Sequence, residues 1–129
     1  MSLAVVIAPY ATATDRERAA IRALQCALAR KGVVTIFLPD ATAPYMDDEQ
    51  QEQRQRGLSA SEELVRLVAQ GGGDVHILGD RITEGMRRDM DAWSKATPRT
   101  ATFHRIGILL GSSEDPDTLL PTQQADMGC

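Results

Sequence analysis

The stretch that decides the fold is Leu3-Ala4-Val5-Val6-Ile7-Ala8, an unbroken apolar run that stops at Pro9. A run without alternation of apolar and polar residues is typical of a parallel strand that is buried on both faces. Two further runs read the same way. Residues 33–38 (VVTIFL) stop at Pro39, and residues 74–78 (DVHIL) stop at Gly79. The sequence therefore predicts three buried strands.

Helical patterns separate these strands. Thr14-Asp-Arg-Glu17 has the S/T-x-x-E form of a capping box, apolar residues follow it at helical spacing, and Gly32 is placed to end the helix. A second capping box, Ser59-Ala-Ser-Glu62, predicts a helix that stops at the three glycines 71–73. A third helix is predicted over residues 85–95, closed by Thr97-Pro98.

The end of the chain completes the pattern. Residues 100–106 predict a fourth strand, whose extension through 107–110 is left open, and residues 111–129 form a polar tail. Alternating strands and helices predict an α/β fold with a parallel sheet. We expect a three-layer, doubly wound sheet of four to five strands, flavodoxin-like or Rossmann-like, in one domain over residues 1–110.

Composition limits the partners. The 129 residues carry 14 Lys and Arg against 18 Asp and Glu, a formal net charge of −4, which disfavours polymeric nucleic acid as a ligand. No apolar run approaches the roughly 18 residues of a membrane span, so no membrane association is expected, and the N-terminus lacks the features of a signal peptide. Cys26 and Cys129 are far apart in sequence and predict free thiols in a cytoplasmic protein.

Ligands of open α/β sheets bind at the carboxyl ends of the strands. Here those ends lead into residues 9–12, 39–58 and 79–85. The sequence contains no GxGxxG, Walker A, HExxH or GxSxG motif, and His76 and His104 fall on different predicted strands without further ligands. We therefore expect neither a cofactor nor a metal ion.

The informative segment is the third helix. Met86, Met90 and Trp93 share one apolar face, and Asp89 falls on the border of that face. Two interpretations of Asp89 are open: a boundary carboxylate bonded to the preceding loop, or a carboxylate held for chemistry. Thr83 is equally compatible with a simple N-cap and with an anion site at the helix N-terminus.

The run Ile82-Thr-Glu-Gly-Met-Arg-Arg-Asp89, which follows an Asp-Val-x-x-Leu-Gly strand, resembles the nucleoside 2-deoxyribosyltransferase-like superfamily. The likeness is greatest to small bacterial and phage members that share Ile-Ala-Pro-Tyr10, Pro44-Tyr-Met-Asp-Asp48 and Arg54-x-x-Gly57. It covers roughly residues 4–96.

The resemblance implies a role for each matching residue. Asp89 falls where the family has a catalytic Glu that attacks the anomeric carbon of a ribosyl or deoxyribosyl group, and Glu63 falls where the family has an assisting Asp. Thr83 matches a Ser that touches the 5′-phosphate in nucleotide-hydrolysing members, and Gly85 matches the glycine of the motif. Tyr10 lies in the loop that lines the sugar or base pocket. Here Asp replaces Glu at 89 and Glu replaces Asp at 63.

The polar segment 40–58 has two interpretations. It predicts a loop that closes over the ligand, with Tyr45 stacking on a base and Arg54 meeting a phosphate, or else a solvated, Gln-rich connector or a packing surface for a second subunit. Family members complete their pockets across a dimer, so the resemblance implies a homodimer or a higher homo-oligomer.

Two classes of function follow. The first is cleavage or transfer of the N-glycosidic bond of a nucleoside or nucleoside 5′-monophosphate through a carboxylate nucleophile. The alternative is a protein without efficient turnover, either a nucleotide-binding or sensing domain or an interaction protein that uses the tail.

Overall fold

The structure, a computed structural model, describes residues 2–39 and 51–111. Within these ranges the sheet has four parallel strands, in the order β2-β1-β3-β4: β1 (Ser2–Ile7), β2 (Val33–Phe37), β3 (Asp74–Leu78) and β4 (Thr102–His104). Ala4 of β1 is in register with Thr35 on one side and with Asp74 on the other. The order of the strands reverses between β1 and β3, as in doubly wound folds.

Four helices in the described ranges cover the two faces of the sheet: α1 (Asp15–Arg30), α2 (Gln51–Gln70), α3 (Glu84–Ala96) and α4 (Ile106–Leu109). One hydrophobic core joins α1 and the region of α4 to the sheet through Val6, Leu24, Leu78 and Ile106. A second core joins α2 and α3 to the opposite face through Val5, Val65, Ile77 and Trp93. The predicted three-layer α/β fold is therefore confirmed.

The ends of α1 form as the sequence predicts. The Glu17 backbone N–H donates to Thr14 Oγ1 at 3.1 Å, and the Thr14 backbone N–H donates to Glu17 Oε1 at 2.8 Å. Both halves of the capping box are therefore present. Gly32 follows the helix with a φ of +79°, a conformation that glycine adopts without steric cost.

The predicted loop 40–58 is wrong for its second part, because residues 51–58 belong to α2. Its Gln, Glu and Arg side chains lose little rotamer freedom in a helix, and Glu52 forms an ion pair with Arg56 one turn later. The predicted capping box at residues 59–62 is also wrong, since those residues lie inside the helix. Residues 40–50, with Tyr45, lie outside the described residues.

The fourth strand is shorter than predicted. It ends at His104, and residues 106–109 form α4 instead of extending the strand. The Ile106 backbone N–H donates to Asp80 Oδ1 at 3.4 Å, and Ile106 and Leu110 are buried in the core beneath α1. Burial of this apolar pair on the α1 layer explains the turn away from the sheet.

One of the three glycines after α2 is required by close packing of the chain. Gly73 requires the absence of a side chain, because a Cβ atom there would lie 2.7 Å from the carbonyl oxygen of Leu3 and 2.6 Å from Val68 Cγ1. The chain can therefore pass close beneath β1 as it enters β3. The predicted stop of the helix at this triplet is confirmed, since α2 ends at Gln70.

Two other expectations concern the environment of the protein. The prediction of a free thiol is wrong for Cys26, which is buried in α1 and disulfide-bonded. Cys129 and the rest of the predicted tail beyond Gly111 lie outside the described residues. Among the helices that the structure describes, none is long and apolar enough to cross a membrane.

Candidate functional site

A cavity of about 250 Å³ lies at the carboxyl ends of β1 and β2, against the start of α3. This is the end of the sheet at which open α/β folds bind their ligands. Four elements contribute to its walls: the exit of β1, the end of β2, the first half of α2 and the first two turns of α3. The contributing side chains include Tyr10, Leu38, Arg54, Ser61, Thr83 and Asp89.

Asp89 is the buried carboxylate of this cavity. It lies in the second turn of α3 and is 9% exposed. Ser61 Oγ, on α2, donates a hydrogen bond of 2.9 Å to Asp89 Oδ2. The other oxygen, Oδ1, is buried and has no hydrogen-bond partner among the described residues. Native proteins pair nearly all such atoms, so an unpaired carboxylate oxygen at a cavity is a mark of a functional site.

The environment of Asp89 changes its acidity. Burial raises the pKa of Asp89 to about 6, from an ordinary value of 3.8, because the charged form loses its hydration. The hydrogen bond from Ser61 lowers this pKa, Glu62 raises it, and Arg88 lowers it. Glu62 and Arg88 themselves form an ion pair beside the site. A carboxyl group that titrates about one unit below neutrality can exchange a proton or stay ionised as a nucleophile.

The N-terminus of α3 forms a second polar wall. Thr83 caps the helix by accepting a hydrogen bond from the Met86 backbone N–H at 3.2 Å, as predicted, and Gly85 follows it in the cavity wall. A helix N-terminus carries a partial positive charge that favours anions. Glu84 lies in this first turn and forms an ion pair of 3.5 Å with Arg54 of α2 across the mouth of the cavity.

Tyr10 lines the cavity from the loop after β1. It is 39% exposed, and its ring contacts the ring of Phe37 edge-on at a centroid distance of 6.1 Å. The contact fixes one side of the ring and leaves the other toward solvent. An aromatic face in this position can stack on a planar ligand.

Arg81 and Glu17 join the two loops beside the cavity, a contact that the sequence did not indicate. Arg81 Nε and Nη2 donate to the two carboxylate oxygens of Glu17, each at 3.0 Å, and Nη2 also donates to the Thr12 carbonyl oxygen at 2.9 Å. The Arg81 guanidinium lowers the pKa of Glu17, against the opposing effect of burial. The exit loop of β3 is thereby attached to the exit loop of β1 and to the start of α1.

The structure does not bring Glu63 to Asp89. The Glu63 side chain is 52% exposed on the outer surface of α2 and forms an ion pair with Arg66. The structure therefore does not support the expectation that Glu63 assists Asp89, because a helix turns Glu63 away from the face that Ser61 presents to the cavity. Among the residues predicted for the site, those the structure brings together in the cavity are Tyr10, Arg54, Thr83, Gly85 and Asp89.

Ser61 is the site residue that the sequence interpretation missed. The signal was present, because Leu58, Ser61, Val65 and Val68 follow one another at spacings of three, four and three residues. Such spacing places a residue on the buried face of a helix. Assigning Ser61 to a capping box placed it at a helix end and concealed this position.

The two histidines form a pair away from the cavity. His76 Nδ1 and His104 Nε2 are 2.8 Å apart across β3 and β4, and burial lowers the pKa of both rings. In the described parts of the chain, no group of three or more His, Cys, Asp or Glu residues is placed to hold a metal ion. The hydrogen bond between the two rings joins the neighbouring strands β3 and β4.

Comparison with known proteins places the chain in a family. A search of curated proteins and a search of solved structures both return no match. Residues 2–103 match the family model of a domain of unknown function, DUF7768. The match begins at β1 and ends within β4, and it includes every residue assigned above to the walls of the cavity. The chain belongs to the DUF7768 family.

Proposed function

We propose that this protein cleaves or transfers the N-glycosidic bond of a nucleoside or nucleoside 5′-monophosphate, with Asp89 as the carboxylate that reacts with or stabilises the sugar. The observation that carries the proposal is the buried, half-paired carboxylate of Asp89 in the wall of the cavity. The resemblance of residues 82–89 to the nucleoside 2-deoxyribosyltransferase-like superfamily supports the same assignment.

The chemistry needs such a carboxylate. Breaking an N-glycosidic bond builds positive charge on the sugar, which an adjacent carboxylate stabilises or traps covalently. In the covalent route, Asp89 Oδ1 forms a bond to the anomeric carbon while the carbon–nitrogen bond breaks and its electron pair stays on the base. The base takes a proton from water, and the remaining hydroxide attacks the anomeric carbon and releases Asp89 as a carboxylate. In transfer, the nitrogen of a second base attacks the anomeric carbon in place of that hydroxide and gives its proton to the hydroxide, which becomes water again.

The rest of the cavity suits a small, polar ligand. At about 250 Å³ it is just below the range of roughly 300–1,000 Å³ that is usual for small-molecule sites. Tyr10 offers a ring for stacking on a base, and the N-terminus of α3 with Thr83 offers a place for a hydroxyl or a phosphate. Arg54 can turn from Glu84 to an anionic group of the ligand, since their ion pair is largely exposed.

Incubation of the purified protein with a panel of deoxynucleosides, ribonucleosides and their 5′-monophosphates tests the proposal. Thermal unfolding measures binding, and chromatography measures the free base. We expect at least one compound to raise Tm and to release its base. Binding without release contradicts the enzymatic proposal and supports a nucleotide-binding or sensing domain. Absence of both contradicts any nucleotide site and leaves an interaction protein.

A further inference from the structure

Ser61 contacts the carboxylate of Asp89 directly. It is 8% exposed, lies on the inner face of α2 and lines the cavity. Its hydroxyl donates to Asp89 Oδ2 at 2.9 Å, which joins two residues that are 28 positions apart and lie on different helices. The two carboxylate oxygens thus have different surroundings, since Oδ1 accepts no hydrogen bond from the described residues.

We propose that Ser61 is a positioning residue, whose hydroxyl holds Oδ2 of Asp89 so that Oδ1 is the oxygen that meets the anomeric carbon. This inference rests on the proposed function. It adds that the two oxygens of one carboxylate have different roles, and that Ser61, not Glu63 of the same helix, is the α2 residue that acts on Asp89.

Rotation of the carboxylate makes such a residue necessary. The terminal torsion of an Asp side chain has broad preferences, so packing alone does not choose which oxygen faces the ligand. A hydrogen bond to one oxygen makes that choice. Misplacement of a reacting atom by about 1 Å costs roughly 100-fold in rate. The loss of rate from misplacement is larger for Asp than for Glu, because the shorter side chain cannot extend to restore the distance to the reacting carbon.

Ser61 also acts on the charge of Asp89. A hydroxyl that donates to a carboxylate favours its ionised form, which is the form that attacks or stabilises the sugar. The charged groups around Asp89 are Glu62 of α2 and Arg88 of α3, which form an ion pair, and Arg54 and Glu84 at the mouth of the cavity. The β1 and β2 residues that line the cavity are apolar or aromatic, such as Ile7 and Phe37. Ser61 is therefore the uncharged donor among these groups.

Three variants test the inference. Ser61→Ala removes the donor, Ser61→Thr keeps a hydroxyl at the same carbon, and Ser59→Ala is the matched control on an exposed part of α2. Two quantities are measured in each: the pKa of the Asp89 carboxyl by carbon-13 NMR, and the pH dependence of kcat for base release. In the unmodified protein, kcat is expected to fall about tenfold per pH unit below a pH of about 6.

In Ser61→Ala we expect the pKa of Asp89 to rise by about one pH unit. The pH below which kcat falls is expected to rise by the same amount. We also expect kcat on the plateau to fall about 10- to 100-fold while KM changes less than threefold, because orientation is lost and binding is not. Ser61→Thr restores both quantities, and Ser59→Ala changes neither.

The inference is overturned if the pKa of Asp89 stays at its original value in Ser61→Ala, even where Tm falls, since that pattern shows a structural role alone. It is equally overturned if the pKa moves but the plateau of kcat does not. A protein that releases no base at any pH refutes the proposed function. The NMR titration still separates that failure from a failure of the contact between Ser61 and Asp89.

Discussion

At the scale of single residues, Asp89 is a carboxylate that the fold holds at a cost. The pKa of Asp89 is about 6 in the folded protein, above the ordinary value of 3.8. Between pH 3.8 and about pH 6, the folded protein therefore keeps a proton on Asp89 that the unfolded chain has already released. Stability attributable to Asp89 therefore falls as the pH rises from about 4 to about 6, and the whole cost is present at pH 7. A residue kept at such a cost is expected to serve function.

Replacing Asp89 by Asn removes that cost. The difference between the folded and unfolded pKa corresponds to about 3 kcal/mol. Part of this gain is offset because the buried amide of Asn finds no new partner for its N–H groups. We expect Asp89→Asn to raise the free energy of unfolding by about 1–2 kcal/mol at pH 7 and to lower it by about 1 kcal/mol at pH 4, where little of the cost remains and the unpaired amide is still buried. Urea denaturation at the two pH values measures both.

The control is Asp91→Asn, on the exposed side of the same helix, which is expected to stay within about 0.5 kcal/mol of the original protein at both pH values. Equal stabilisation by the two substitutions at pH 7 contradicts the claim that the buried charge of Asp89 destabilises the folded protein. Destabilisation by Asp89→Asn at pH 7 contradicts it as well.

Glu63, in contrast to Asp89, is expected to contribute little to the reaction. Its carboxylate is half-exposed and paired with Arg66 outside the cavity, and that pairing lowers its pKa. We expect Glu63→Gln to retain base release within about threefold of the original kcat/KM, since the residue touches nothing at the site. A loss of 100-fold or more in the same assay contradicts the geometry and restores Glu63 as a site residue.

At the scale of elements, the loops that follow β1 and β3 are held together by one ion pair. Glu17 is 8% exposed at its side chain, caps α1 and accepts both hydrogen bonds from Arg81. Arg81 is about half-exposed, so the pair is partly screened by solvent. Removal of Arg81 leaves the Glu17 carboxylate buried without its cation, a situation that destabilises proteins.

A double-mutant cycle measures this contact. We expect Arg81→Met and Glu17→Gln each to destabilise the protein, and the double variant to lose less than the sum of the two, with a coupling of about 1 kcal/mol. Because a charged Glu17 is what Arg81 stabilises, the coupling is present at pH 7 and is lost as the pH falls through the lowered pKa of Glu17. The exposed pair Arg18–Asp15 on the same helix is the control, expected to show a coupling close to zero. A similar coupling energy for both pairs contradicts the expectation that burial of Glu17 makes its pair with Arg81 the stronger of the two.

The elements also show what local sequence could predict. The first three strands, the capping box of α1 and the Thr83 cap of α3 depend on residues close together in sequence, and these features were predicted correctly, whereas the fourth strand was predicted too long. The start of α2 was not predicted. Its polar first turns, with Gly57 among them, lack an apolar periodicity and resemble a loop by composition.

At the scale of the whole molecule, the strand order decides which loops become neighbours. The order β2-β1-β3-β4 brings the exit of β1 to the start of α3 and faces both with the inner side of α2. Contacts such as Ser61–Asp89 and Arg81–Glu17 join residues 28 and 64 positions apart. Periodicity carries no information at these separations, so the helix that holds Asp89 could be predicted and its hydrogen-bond partner could not.

The expected homo-oligomer, the absence of polymeric nucleic acid as a partner and the cytoplasmic location stay predictions. The net charge of −4 remains the reason for the second of these. The ligand class is likewise a proposal, supported by a cavity in which Asp89 is buried and the exposed pair of Arg54 and Glu84 carries no net charge at the mouth. A site of this size and charge favours a small molecule with few anionic groups.

The most direct test of the central claim is base release by Asp89→Asn, compared with the original protein and with Asp91→Asn, on the nucleoside or nucleotide that the panel identifies. Far-UV circular dichroism confirms that all three are folded. We predict that Asp89→Asn lowers kcat by at least about 1,000-fold while Asp91→Asn changes it less than threefold, because only the first removes the carboxylate at the anomeric carbon. Turnover retained by Asp89→Asn would contradict the account.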